Sequence, residues 1–105
     1  MYIPDSWVIL ETQSFNNIFY KVLAGWSGGY LYGGSWRMNS GISKIEEIGD
    51  FYLFHGNSGS TYKCHKHSYG LCMETNGVFN KIKERNPEIV TLMNHTTDWI
   101  ELLGD

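Results

Sequence analysis

Apolar positions along this chain fall in short runs, some continuous and some alternating, separated by glycine and polar clusters. Residues 6–13 (SWVILETQ) open with Trp7, Val8, Ile9 and Leu10 in succession. A continuous run of that length predicts a strand with both faces covered, and therefore a central one. The SFNN cluster at 14–17 predicts a turn. Residues 18–26 then alternate, with Ile18, Tyr20, Val22, Ala24 and Trp26 on one face and Phe19, Lys21 and Leu23 on the other. The two segments read as a hairpin with a short polar loop.

Residues 27–35 (SGGYLYGGS) set two Gly-Gly pairs around Tyr30, Leu31 and Tyr32, which predicts a flexible or tightly turned segment. Residues 36–40 and 42–48 read as short strands divided at Gly41. Gly49-Asp50 suits a two-residue hairpin turn into a strand at 51–55. The string GNSGS at 56–60 turns the chain again into a strand at 61–67.

After Gly70 the period lengthens. Asn76 is expected to cap a helix running to Arg85, with Val78, Phe79 and Ile82 inward and Lys81, Lys83 and Glu84 outward. Asn86-Pro87 ends it. A last strand is expected at 89–93, and Thr97 is expected to cap a short helix carrying Trp99, Ile100, Leu102 and Leu103. The pattern predicts an α+β fold: an antiparallel sheet of five to seven short strands, one principal helix packed on one face, and a short C-terminal helix. With no linker, repeat or low-complexity tract, residues 1–105 read as a single domain.

Composition supports the antiparallel reading: aromatics reach 15%, glycines number twelve and prolines two. A formal charge of −3 argues against general nucleic-acid binding, although Lys63, Lys66, Lys81, Lys83 and Arg85 lie close together. The first residues, MYIPDSWVILETQ, have neither the basic flank nor the apolar core of a signal peptide. No apolar run approaches a membrane span. A cytoplasmic protein is expected, with Cys64 and Cys72 as free thiols.

Three of the four histidines and one of the two cysteines fall between Gly49 and Gly70, which makes this stretch the first place to look for chemistry. Cys64, His65, His67 and Cys72 are ligand types for zinc. Their spacing is poor for it, because adjacent residues on a strand point to opposite faces. A second candidate is metal-independent phosphodiester cleavage. Lys63, His65 and His67 share one face of an extended strand, His55 lies on the strand before, and imidazole titrates near neutrality. The alternative for both is a polar strand face. A third candidate is recognition by aromatic residues. Trp26, Tyr30, Tyr32 and Trp36 are all even-numbered, so an extended stretch would place them on one side beside Arg37. Core aromatics with turn glycines are the alternative there. The GNSGS loop lacks the Lys-Ser/Thr ending of a phosphate-binding loop and reads as a hairpin turn.

The strings WRMNSGISKIEE and DFYLFHGNSGSTYKCHKHSYG, with a helix after Asn76-Gly77, resemble small uncharacterised accessory proteins of large tailed bacteriophages. That resemblance covers residues 36–83 and carries no catalytic or binding residue with it. It implies an accessory protein acting in the host cytoplasm, of the kind that inhibits a bacterial defence system by binding a defence protein or its nucleotide signal. The residues then suggest a binding protein using Trp26, Tyr30, Tyr32, Trp36 and Arg37. Lys63, His65 and Lys66 would supply positive charge, no cofactor is called for, and the protein is expected to be a homo-oligomer through a short edge strand. A small enzyme acting through His55, His65, His67 and Lys63 is the alternative.

Overall fold

The computed structural model describes residues 1–27, 34–86 and 89–104. In chain order the elements are β1 (Ser6–Ser14), β2 (Asn17–Trp26), β3 (Ser35–Met38), β4 (Ile42–Ile48), β5 (Phe51–Gly56), β6 (Thr61–His65), α1 (Met73–Arg85), β7 (Val90–Leu92) and α2 (Trp99–Leu103). The α+β class read from the sequence is the one observed. The seven strands form two antiparallel sheets, however, ordered β3-β2-β1-β7 and β4-β5-β6. The chain leaves the first sheet at Asn39. Its backbone N–H donates to Val22 O at 3.2 Å, and its side-chain Oδ1 accepts from Val22 N–H at 2.9 Å. A side chain thus occupies the place of the next ladder partner, and β3 stops at four residues.

Strand β1 lies between β2 and β7, as its continuous apolar run requires. Trp7 and Ile9 point to one side, where they meet Val22 and Ala24 of β2, Phe54, Tyr62 and Cys64 of the second sheet, and Trp99 of α2. Val8 and Leu10 point to the other and, with Leu23 and Val90, pack under Val78, Phe79 and Ile82 of α1. The order of layers is therefore α1, first sheet, second sheet. Trp7 ties the last two together, its Nε1–H donating to His65 O at 2.7 Å and its indole lying 4.8 Å from the Tyr69 ring.

Helix α1 begins three residues before the expected cap. Cys72 is the N-cap; its backbone N–H donates to Thr75 Oγ1 at 2.9 Å, so the Thr75 hydroxyl does the capping from inside the first turn. Thr75 is buried against Gly25, where a Cβ would lie 2.5 Å from Cys72 Sγ. The helix can sit this close to β2 only because position 25 has no side chain. Asn76 and Gly77 lie within the helix. At α2 the cap is Asp98, not Thr97: Asp98 Oδ1 accepts from Glu101 N–H, while the Thr97 hydroxyl donates to Asn94 O. The Gly49-Asp50 turn is as read, with Ile48 opposite Phe51 and Gly49 at φ +58°. Among the described residues no helix is long and apolar enough to cross a membrane.

Candidate functional site

The second sheet turns its outer face away from both other layers. Antiparallel register sets Glu46, Leu53 and Lys63 in one row across β4, β5 and β6, with Lys44, His55 and Thr61 in the next. Phe51 lies opposite His65. His55 reaches to both sides: its Nε2–H donates to Glu46 Oε2 at 2.7 Å, and Nδ1 lies 3.2 Å from Thr61 Oγ1. That bond to His55, with Lys44 beside it, holds the Glu46 carboxyl below the usual range. A hydroxyl, an imidazole and a carboxylate in line have the order of a nucleophile relay. Here they lie on a flat face, on β5 and to either side of it, a strand whose amides are committed to ladders on both sides. Among the described residues none of the principal cavities is lined by His55, Thr61 or Glu46, so the line has no enclosed place for a substrate. The line is a cross-strand clamp.

Of the remaining residues of the histidine cluster, His65 and His67 stay together, their ring centroids 5.4 Å apart, but away from His55. His65 lies four positions along β6 from the partner of His55, about 13 Å at the strand rise per residue. Its ring is edge-on to Phe51, and its Nδ1 accepts from His67 N–H at 3.1 Å. The strand ends at His65, so His67 belongs to the following turn and is not on the strand face with Lys63. Lys63 lies over the Phe51 ring, 4.5 Å from its centroid. Lys66 turns to the opposite side, paired with Glu47 and over Tyr52, so it does not add its charge to Lys63 and His65. Cys64 is enclosed in the core, where burial pushes its thiol well above the ordinary range, and Cys72 is at the start of α1. Cys64, His65, His67 and Cys72 do not converge, and among the described residues no group of three or more His, Cys, Asp or Glu is placed to hold a metal ion.

The aromatic stretch is divided as well. Tyr30 and Tyr32 lie outside the described residues. Trp26 pairs with Ser35 and Gly25 with Trp36, so even positions of β2 oppose odd positions of β3. Trp26 consequently points to the core side, its Nε1–H donating to Ile3 O and its ring meeting Tyr2 edge-on. Trp36 points to the α1 side and is 50% exposed. The expectation that both lie on one side fails because a reversal of direction with this register exchanges the faces. Arg37 is on the face of Ala24 and Tyr2, its guanidinium 4.4 Å from the Tyr2 ring centroid.

One surface has no counterpart in the sequence reading. The β1–β2 hairpin continues past its neighbours: β3 pairs only with Leu23 to Trp26, and β7 only with Leu10 to Thr12. At its tip Phe15 is fully exposed with φ +56°. This is the first central position of a two-residue loop, where a turn of that hand ordinarily has glycine. Ile18 and Phe19 are exposed beside it, at 55% and 40%. Below the tip a groove of about 430 Å³, floored by Leu10, Met38, Ile82 and Val90, carries Lys21 at its wall. It opens where α1 ends and the hairpin continues. The signal available in the sequence was a large aromatic inside an otherwise polar turn, SFNN.

No protein-family model, curated protein or solved structure matches this chain.

Proposed function

We propose that the protein is a stoichiometric binding protein of the phage host-interaction kind, inhibiting a bacterial defence system by engaging one of its proteins in the host cytoplasm. The observation that carries the binding role is Phe15. A left-handed conformation costs a non-glycine residue about 1–2 kcal/mol, and a fully exposed phenyl ring recovers none of it within the chain. A strained residue that the fold does not need points to a function outside the fold. Ile18 and Phe19 extend the apolar tip, and Lys21 adds a cation behind it. A projecting aromatic finger suits a pocket on a protein better than it suits a nucleotide, which needs a concave site of its own. The host setting comes from the resemblance of residues 36–83 to accessory proteins of large tailed phages.

The experiment is affinity capture from bacterial lysate with the parent protein and with Phe15→Gly, alongside thermal unfolding of both. Glycine relieves the turn, so the variant should unfold at a higher temperature. It should also lose the partner that the parent retains in one-to-one amount. Equal retention of that partner by both proteins would remove the finger from the mechanism. Release of a chemically altered ligand would favour the enzyme instead.

A further inference from the structure

Two sheets of this size have four edges, and three of them are guarded. On β7 the outward backbone groups of Val90 are already taken: its N–H donates to Asn86 O at 3.3 Å, and its O accepts from Lys83 Nζ at 2.6 Å. On β6 the N-terminal segment lies alongside, Tyr2 N–H donating to Thr61 O and Tyr2 O accepting from Lys63 N–H, both at 2.8 Å. On β4 the guards are Lys44, Glu46 and Glu47, with a register shift between Ile42 and Lys44. Charges and irregularities of this kind are what blunt a free edge. Strand β3 is the fourth edge. Among the described residues it has no such device, and its one charge, Arg37, is laid over the Tyr2 ring. In place of a guard it presents Trp36, half exposed.

We infer that this edge binds a second copy of itself, β3 pairing antiparallel with β3 of the partner so that Trp36 lies opposite its own counterpart. The register follows from symmetry. Asn39 N–H donates inward to Val22 O, so by strand alternation Arg37 and Ser35 also turn their backbone groups toward β2, and Trp36 and Met38 turn theirs outward. A two-fold axis relating antiparallel strands stands perpendicular to the sheet and keeps each face on its own side. Only residues of equal parity can then be opposite one another. For a strand of four residues, two registers keep three of them paired. One centres on Arg37 and sets two guanidinium groups against each other, which is unfavourable for like charges directly opposite. The other centres on Trp36, stacks two indoles, and leaves each Arg37 facing the small Ser35 of the other copy. The product is a continuous eight-stranded sheet with both α1 helices on one side. This surface is separate from the hairpin tip, and the inference does not depend on it.

The test is sedimentation velocity at micromolar concentration, with cross-linking to read the register. The parent protein should sediment as a dimer, and Trp36→Lys, with its fold intact by circular dichroism, as a monomer. In a Cys72→Ser background, Trp36→Cys should form a covalent dimer under mild oxidation, because residues directly opposite lie at about 5.5 Å between Cα atoms, within disulfide reach. Arg37→Cys should not. A monomeric parent protein, a dimer that survives Trp36→Lys, or cross-linking through Arg37→Cys in preference to Trp36→Cys would each overturn the proposal.

Discussion

The two outward faces of the sheets are a natural pair to compare. On the first sheet that face carries Val8, Leu10, Leu23 and Val90, and α1 covers it. On the second it carries Lys44, Glu46, His55, Thr61 and Lys63 around Leu53, and no described element lies over it. Both faces belong to antiparallel strands of similar length, and the difference is whether polar residues alternate with apolar ones. Where they do not, the strand needs cover on both sides and a helix supplies it. Where they do, the face supplies its own cover. Leu53 is buried to 9% exposure in the row between Glu46 and Lys63.

The contrast should break most visibly at Trp7, which serves the interface between the sheets. Trp7→Ala removes a ring that packs on Phe54, Tyr69 and Trp99 and takes from His65 O one of its donors, the Ser68 N–H remaining, a loss of about 3–5 kcal/mol measured by denaturant unfolding. Leu23→Ala on the covered face should cost about 2–5 kcal/mol, and Ile48→Ala, 56% exposed on the second sheet, within about 0.5. Similar losses at Leu23 and Ile48 would mean that the second sheet has cover of its own.

A smaller effect is expected at Tyr69. Its hydroxyl accepts from Ile9 N–H at 3.1 Å and donates to Met93 O at 2.7 Å, and burial pushes its pKa up to about 12. Tyr69→Phe leaves two backbone groups without a partner and should cost about 1–3 kcal/mol. A loss near zero would mean that water replaces the hydroxyl.

The smallest effect belongs to the clamp on the open face. Glu46 is held below its ordinary value of 4.5, first by the bond to His55 and then by Lys44. A carboxylate with a lowered folded-state pKa contributes stability that is present above the ordinary value and lost as pH falls through the folded one. The melting temperature of the parent protein should therefore exceed that of Glu46→Gln at pH 6, and the gap should close below about pH 4. A gap that stays constant into acid would show that the carboxylate charge is not what the clamp uses.

Much of the architecture was legible because period two and its turns are local properties. The hairpin from Ser6 to Trp26, the Gly49-Asp50 turn and the central place of β1 all follow from residues near one another in the chain. What could not be read is which strands share a sheet, since alternation gives a strand two faces without naming its neighbour. The same gap misplaced Trp36 relative to Trp26: odd and even numbering fixes a face along one strand and says nothing across a reversal. At α1 the early start escaped notice because Cys72 is not among the usual capping residues and Thr75 caps from within. The clamp was half visible. His55 and Thr61 are neighbours in a hairpin, whereas Glu46 joins them only through the register of β4 on β5. Phe15 was read as part of a turn, correctly, but position alone gave no reason to ask why the turn holds a phenyl ring.

The central strand also sets an order of events during synthesis. β1 is made first, yet its second neighbour, β7, lies about eighty residues downstream, and Trp99 fills the same cluster as Trp7 from further still. At about 5–20 residues per second, several seconds separate the appearance of Trp7 from that of Trp99. Throughout that interval β1 keeps one edge unpaired, and no local pairing can close it. Completion of the core is therefore a late, long-range step, and the nascent chain is most vulnerable to misassociation just before its last two elements emerge.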